Sequence, residues 1–142
     1  MATDNHTQNL SPEAVDWNKR YREGFYSGAI DPHALLTKFW PIIPGRRVAD
    51  IAMGSGRDAM FLSEKGFFVT GLEGSIEAIN ITKKTMAQKG LTVHPVLGDA
   101  KRLPYRKNAF NCIIVFYFLE RKTVDEIKAL LKKAVYLCMK PF

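Results

Sequence analysis

The chain has 142 residues, enough for one domain with a real core, and its 46% hydrophobic and 25% charged residues are the proportions of an ordinary folded protein. No apolar run reaches the length of a membrane span, and the polar start MATDNHTQNLSPEA lacks the apolar stretch of a secretory signal. The net charge of +7 would suit an acidic partner such as RNA, but the basic residues are spread over helix faces and turns without interleaved aromatics, so a solvated surface is the preferred reading over a nucleic-acid face.

Residues 1–10 read as a disordered tail, and the domain is expected over residues 11–142. Ser11-Pro12-Glu13 is a helix start, with a capping serine, proline in the first turn and an acid at the positive end of the dipole. That helix is predicted to run to about Glu23, where Gly24 ends it. Asp31-Pro32 repeats the signal for a short helix carrying Leu35, Leu36, Phe39 and Trp40, stopped by Pro41. Pro44-Gly45 is a turn. Arg47 to Ala52 is a predicted strand, Gly54-Ser55-Gly56 a loop, and Arg57 to Lys65 a helix closed by Gly66. Phe67 to Leu72 is the second strand, and Ser75 caps a helix of about fifteen residues that Lys89-Gly90 ends. Thr92 to Leu97 is the third strand, and a loop with Asp99, Leu103 and Pro104 follows. Phe110 to Phe118 is nearly all apolar, as in a strand buried on both faces. Thr123-x-x-Glu126 is a capping box, and Ile127, Leu130, Leu131, Ala134 and Cys138 make one helical stripe. The alternation predicts an α/β, Rossmann-like, doubly wound parallel sheet of about four strands, preceded by N-terminal helices.

Cys112 in an apolar run and Cys138 on the expected helical stripe read as buried thiols of a reducing compartment, so a cytoplasmic location is expected. His6, His33 and His94 have no ligand spacing, and no metal site is inferred.

In an open parallel sheet, ligands bind beyond the carboxyl ends of the strands. Gly54 and Gly56 follow the first strand and open a helix, where the backbone can approach a ligand and free N–H groups face a carboxylate or phosphate. Glu73 ends the second strand, placed for ribose hydroxyls, and Asp99 follows the third, placed for an adenine amine. Each has a plain alternative as a tight turn, a solvated acid or a turn residue, but their recurrence at consecutive strand ends favours a nucleoside site. Gly54 to Ala59 also fits G-x-G-x-x-A, with Glu73 at a suitable distance, which makes an NAD-binding module a rival. Asp50 inside the first strand and the Gly98-Asp99-Ala100 acid argue against it.

The stretch VADIAMGSGRDAMFLSEKGFFVTGLEGSIEAI resembles the first two motifs of class I S-adenosylmethionine-dependent methyltransferases, and is most similar to their tellurite-resistance and thiopurine methyltransferase-like branch. The similarity extends from DWNKRYREG through GDAKRLPYRKNAFNCIIVFYFLER to LCMKP, roughly residues 16–141. It implies that Gly54 and Gly56 approach the methionine part of S-adenosyl-L-methionine while Asp50 orients their loop. Glu73 would hold the ribose, and Asp99 with the Ala100 amide would read the adenine. Trp17 and Tyr21 would belong to a helix folded over the cofactor, although as core aromatics they would serve equally well to anchor a terminal helix. Phe116 and Tyr117 would border the transferring methyl, with Tyr21 the third candidate for that pocket. No catalytic acid or base is identified.

Four positions depart from the family pattern: Ala52 for a glycine, Asn111 for an aspartate, Glu120 for a histidine, and an end at Lys140-Pro141-Phe142 where Gly-Gly and further strands usually follow. A family fold has seven strands, so truncation after the fourth is expected, with that strand left as an exposed edge inviting a homo-oligomer. The expected function is methyl transfer to a small-molecule acceptor, with truncation able to abolish activity. The alternatives are a non-catalytic cofactor-binding remnant, an RNA methyltransferase and the NAD-binding module.

Overall fold

A computed structural model describes residues 12–24, 31–116, 121–131 and 136–139. Helix α1 (Pro12–Arg22) and the short α2 (Ala34–Phe39), which runs into a 3-10 turn over Trp40–Ile42, precede strand β1 (Arg47–Ile51). There follow α3 (Arg57–Glu64), β2 (Phe68–Glu73), α4 (Ile76–Lys89), β3 (His94–Leu97), β4 (Cys112–Phe116), α5 (Arg121–Leu130) and β5 (Tyr136–Met139). The sheet order is β3-β2-β1-β4-β5, with every pairing parallel. This is the expected doubly wound class, with one strand more than the four read from the sequence.

The extra strand corrects the reading of the C-terminal region. Cys138, expected on a helical stripe, pairs in β5 with Val115 of β4. Helix α5 ends at Leu130, and Leu131 bridges in parallel to Phe110. The run Val-Tyr-Leu-Cys-Met is short, apolar and rich in strand formers, so it satisfies both periodic templates, and pairing with β4 decides between them. β4 is therefore not an edge. β1 flanks it on one side and β5 on the other, which removes the basis for a homo-oligomer built through it.

Alternation along the strands divides the core into two layers. Val48, Val69, Cys112 and Ile114 face Leu36 of α2 and Ala59, Met60 and Leu62 of α3. Ala49, Ile51, Leu72, Ile113 and Val115 face Ile127 and Leu130 of α5. Every residue of β4 is buried, as its unbroken apolar run requires. At its foot, the Asn111 side-chain oxygen accepts from the backbone N–H of Arg46 (3.3 Å) and Arg47 (3.1 Å), an acceptor role that needs no charge. No helix among the described residues is long and apolar enough to cross a membrane.

Ile114 is fully buried at the centre of the first layer. Ile114→Ala is expected to cost about 3 kcal/mol, read from urea unfolding as a lower midpoint at unchanged slope.

Candidate nucleoside site at the carboxyl ends of the strands

The site begins where β1 stops. Ala52 turns out of the strand at φ 57°, and Gly54 (φ 65°) and Gly56 (φ 87°) also take the left-handed region. Glycine adopts this conformation freely, whereas Ala52 carries a Cβ against it, a strain of about 1–2 kcal/mol. The loop stays tied to the sheet: Met53 N–H donates to the Leu72 carbonyl at 2.9 Å, and the Met53 sulfur fills the space a side chain at Gly71 would take.

Glu73 locks this loop to the next one. Its Oε2 accepts from Gly54 N–H at 2.6 Å, and its Oε1 from Gly74 N–H (3.0 Å) and Ser75 N–H (3.1 Å). Three of about four lone-pair sites are filled, leaving room for one further donor. Burial raises the pKa of Glu73, and the three N–H groups, Gly54 first, pull it back.

Asp50 lies deeper, in β1, and is 2% exposed. Burial pushes it well above the usual carboxylate range, the charges of Asp58 and Glu73 push it further, and the Arg57 guanidinium opposes them. Its Oδ2 and the Tyr105 hydroxyl are, among the described residues, the buried side-chain polar atoms without a hydrogen-bond partner. Tyr105 is pushed up to about 12 by burial and by the Asp50 charge.

Helix α1 lies across the strand ends. Glu13 pairs with Lys101 beyond β3 at 3.3 Å, and Asn18 accepts from the Ser75 hydroxyl beyond β2 at 2.5 Å. Arg22 pairs with Glu77 at 3.3 Å. The Tyr21 hydroxyl sits against Gly54, 2.9 Å from where a Cβ would be. Tyr21 is buried, whereas Trp17 is 38% exposed, with Arg20 stacked over it at 5.0 Å. Trp17 is thus no core aromatic.

The other predicted residues divide. Asp99 is exposed, and its Oδ1 accepts from Lys101 N–H at 2.8 Å, so it does form the turn that its plain reading describes; Ala100 beside it packs on the second core layer. Phe116 ends β4 buried under the His33 ring. Tyr117 and Glu120 lie outside the described residues. Sequence reasoning missed Asn18, Ser75 as an anchor for α1, and Thr82, whose side chain backs Gly56 and whose hydroxyl donates to the Ala78 carbonyl at 3.1 Å. It also missed the pair His33–Asp58. A polar residue on the buried side of α1 was the available signal for Asn18; nothing local marks the others. Among the described residues no group of side chains is arranged to hold a metal ion.

Two predictions follow from the strain and the burial. Ala52→Gly should stabilise the fold by about 1 kcal/mol in urea unfolding, the relief of left-handed strain exceeding the entropy added to the unfolded chain. Asp50 holds its proton more tightly folded than unfolded. Its contribution to stability is therefore complete below the ordinary value of 3.8 and lost as pH rises through the raised folded value. Thermal melts should show Asp50→Asn losing less stability than wild type as pH rises, with the two converging in acid; parallel curves would contradict the burial of this charge.

Residues 48–141 match the model of the methyltransferase domain family. Over 99% of its length the chain is 27% identical to the ubiquinone/menaquinone biosynthesis C-methyltransferase UbiE of Legionella pneumophila, and covers 64% of that protein. It is 30% identical to the thiopurine S-methyltransferase of Nitrosospira multiformis over 58% of this chain and 38% of that one. A solved SAM-dependent methyltransferase from Methanosarcina mazei superposes with a TM-score of 0.61 at 21% identity, over 72% of this chain and 54% of that one, which is a likeness of fold. The chain thus spans less than two thirds of these relatives, and by its matching core it belongs to the methyltransferase domain family.

Proposed function

We propose that the chain binds S-adenosyl-L-methionine beneath α1, at the ends of β1, β2 and β3, and transfers its methyl group to a small-molecule acceptor arriving from the β4 side. Residues 11–142 form the cofactor-binding portion, working in a cytoplasmic setting. The observation that carries this reading is the acidic setting of the site: Asp50, Asp58 and Glu73 flank the glycine loop, Glu73 accepting from Gly54 N–H, with Arg57 the opposing charge at the start of α3. Such a field suits a ligand carrying a sulfonium and an ammonium, and repels the pyrophosphate that a dinucleotide would lay on the same loop.

The residues fit that ligand. Gly54 and Gly56 bring bare backbone to it, and the unpartnered carboxyl oxygen of Asp50 lies beneath. Glu73 keeps one acceptor site for a ribose hydroxyl. Asp99 and the Ala100 amide border the adenine end, with the second oxygen of Asp99 as acceptor. Trp17 and Tyr21 close the pocket from α1.

The cofactor supplies a methyl group already activated on sulfur. The protein's part is to align that methyl with the acceptor and to exclude water, which Tyr21 and Phe116 do from opposite sides. Similarity to a thiopurine S-methyltransferase supports placing the chain in the thiopurine and tellurite-resistance-like branch, with a thiol or a selenium or tellurium oxyanion as acceptor.

Calorimetric titration tests the cofactor. S-adenosylhomocysteine should bind at micromolar strength and NAD at least about 100-fold more weakly, a difference of roughly 2.7 kcal/mol. Gly54→Ala, which sets a methyl against the Tyr21 hydroxyl in a left-handed backbone, should weaken S-adenosylhomocysteine by about tenfold or more. Equal or tighter NAD binding would overturn the reading.

A further inference from the structure

One cluster beside this site has no part in holding the nucleoside. His33, immediately before α2, sends its backbone N–H to Asp58 Oδ1 at 2.9 Å and its Nδ1 to Oδ2 at 2.6 Å. Its Nε2 meets Arg57 Nη2 at 2.6 Å. The ring lies flat on Phe116, 4.0 Å between centroids and 9° between planes. Side-chain exposure is 11% for His33 and 6% for Asp58, so the pair is largely shielded from water.

The hydrogen bonds define the state of the ring. A guanidinium only donates, so Nε2 must accept, and the proton of a neutral imidazole then sits on Nδ1, donated to Asp58. A carboxylate fixing Nδ1–H and turning Nε2 outward is the arrangement that makes a histidine a general base. Here Nε2 is capped by Arg57. The cluster also stands at a distinctive place in the sheet, because strand order reverses between β1 and β4 and Phe116 is the last residue of β4. On the reading proposed above, that is the side from which an acceptor would reach the methyl group.

Arg57 is the first residue of α3 and follows Gly56 directly. Its guanidinium therefore lies within reach of two partners: Nε2 of His33, and any carboxylate brought to the glycine loop and the start of α3. A carboxylate is much the stronger partner for a guanidinium, offering two charge-assisted bonds in place of one neutral acceptor.

The geometry points to His33 as the general base for the acceptor, oriented by Asp58 and gated by Arg57, which leaves Nε2 when it pairs with the amino-acid carboxylate of the cofactor. This rests on the cofactor reading above. In the step it serves, the acceptor X–H proton passes to Nε2, giving an imidazolium paired with Asp58. The freed electron pair forms the X–CH3 bond, and the pair of the broken S–CH3 bond stays on sulfur. Among the described residues the charged groups around the ring are Asp58 and Arg57 from α3 and, deeper, Asp50 from β1, which couples to both; β4 presents Phe116. With Arg57 withdrawn, this balance favours protonation of Nε2.

The imidazole nitrogens of the 15N-labelled full chain report the gate without any acceptor. Long-range 1H–15N spectra, with His33→Gln for assignment, should show His33 as the Nδ1–H tautomer. Saturating S-adenosylhomocysteine should shift the Nε2 resonance away from its Arg57-capped position. 5′-Methylthioadenosine, which has the nucleoside but no carboxylate, should leave His33 in its capped state. Arg57→Gln should show the uncapped Nε2 resonance without ligand and lose at least about tenfold in affinity for S-adenosylhomocysteine. If both nucleosides bind and leave the same His33 signature, the gate is refuted and the cofactor reading stands. If neither binds, the cofactor reading fails and the gate with it.

Discussion

Three backbone N–H groups from two different loops converge on the carboxylate of Glu73, and the ligand end of the sheet is organised around that convergence. One comes from Gly54 after β1 and two from Gly74 and Ser75 after β2. The loop after β1 can present Gly54 N–H to Glu73 only because the chain passes through left-handed backbone at residues 52, 54 and 56. The turn after β2 in turn presents Ser75, whose hydroxyl caps α4 by accepting from Ala78 N–H and also donates to Asn18 of α1. Backbone geometry, one buried carboxylate and the seating of α1 are thus a single mechanical unit. Its cost is a strained Ala52 and a carboxylate whose pKa is raised by burial.

That cost has a functional sense. Buried acids repel one another, and Asp50 raises its own proton affinity further through Asp58 and Glu73. A fold selected for stability alone would gain by neutralising them. On the proposed reading, holding them beside the glycine loop would give a field that discriminates between cationic and anionic nucleotides before any base or sugar is read. Arg57 opposes that field, and on the same reading the loop would offer complementary charges to both ends of a zwitterionic amino acid.

The sheet and the strand-end positions were legible because they depend on local pattern. Alternating short apolar runs and capped amphipathic segments mark the parallel sheet, and glycines and acids after successive strands mark the candidate site. The C-terminal misreading has a physical origin: Ile127 and Leu130 of α5 do pack with Leu131 on one core layer, but the apolar sequence that follows is equally suited to pairing with β4. His33 carries no metal-ligand spacing, and its partners Arg57 and Asp58 lie 24 and 25 residues away and meet it only through the packing of α2 on the sheet. Asn18 and Thr82 act across 57 and 28 residues, and only for Asn18, polar on the buried side of α1, does a local signal exist. Asp99 shows the converse, since the same residue type at the same place served a turn as its plain reading required.

The most direct measurement is amide hydrogen exchange of the full chain with and without S-adenosylhomocysteine. Joint protection of α1, the loop at 52–57, the turn at 73–75 and the segment 98–101 is expected, with α5 unchanged. Binding that protects α5 or the outer strands while leaving α1 and the glycine loop exchanging as before would contradict a site built on Glu73 and closed by α1.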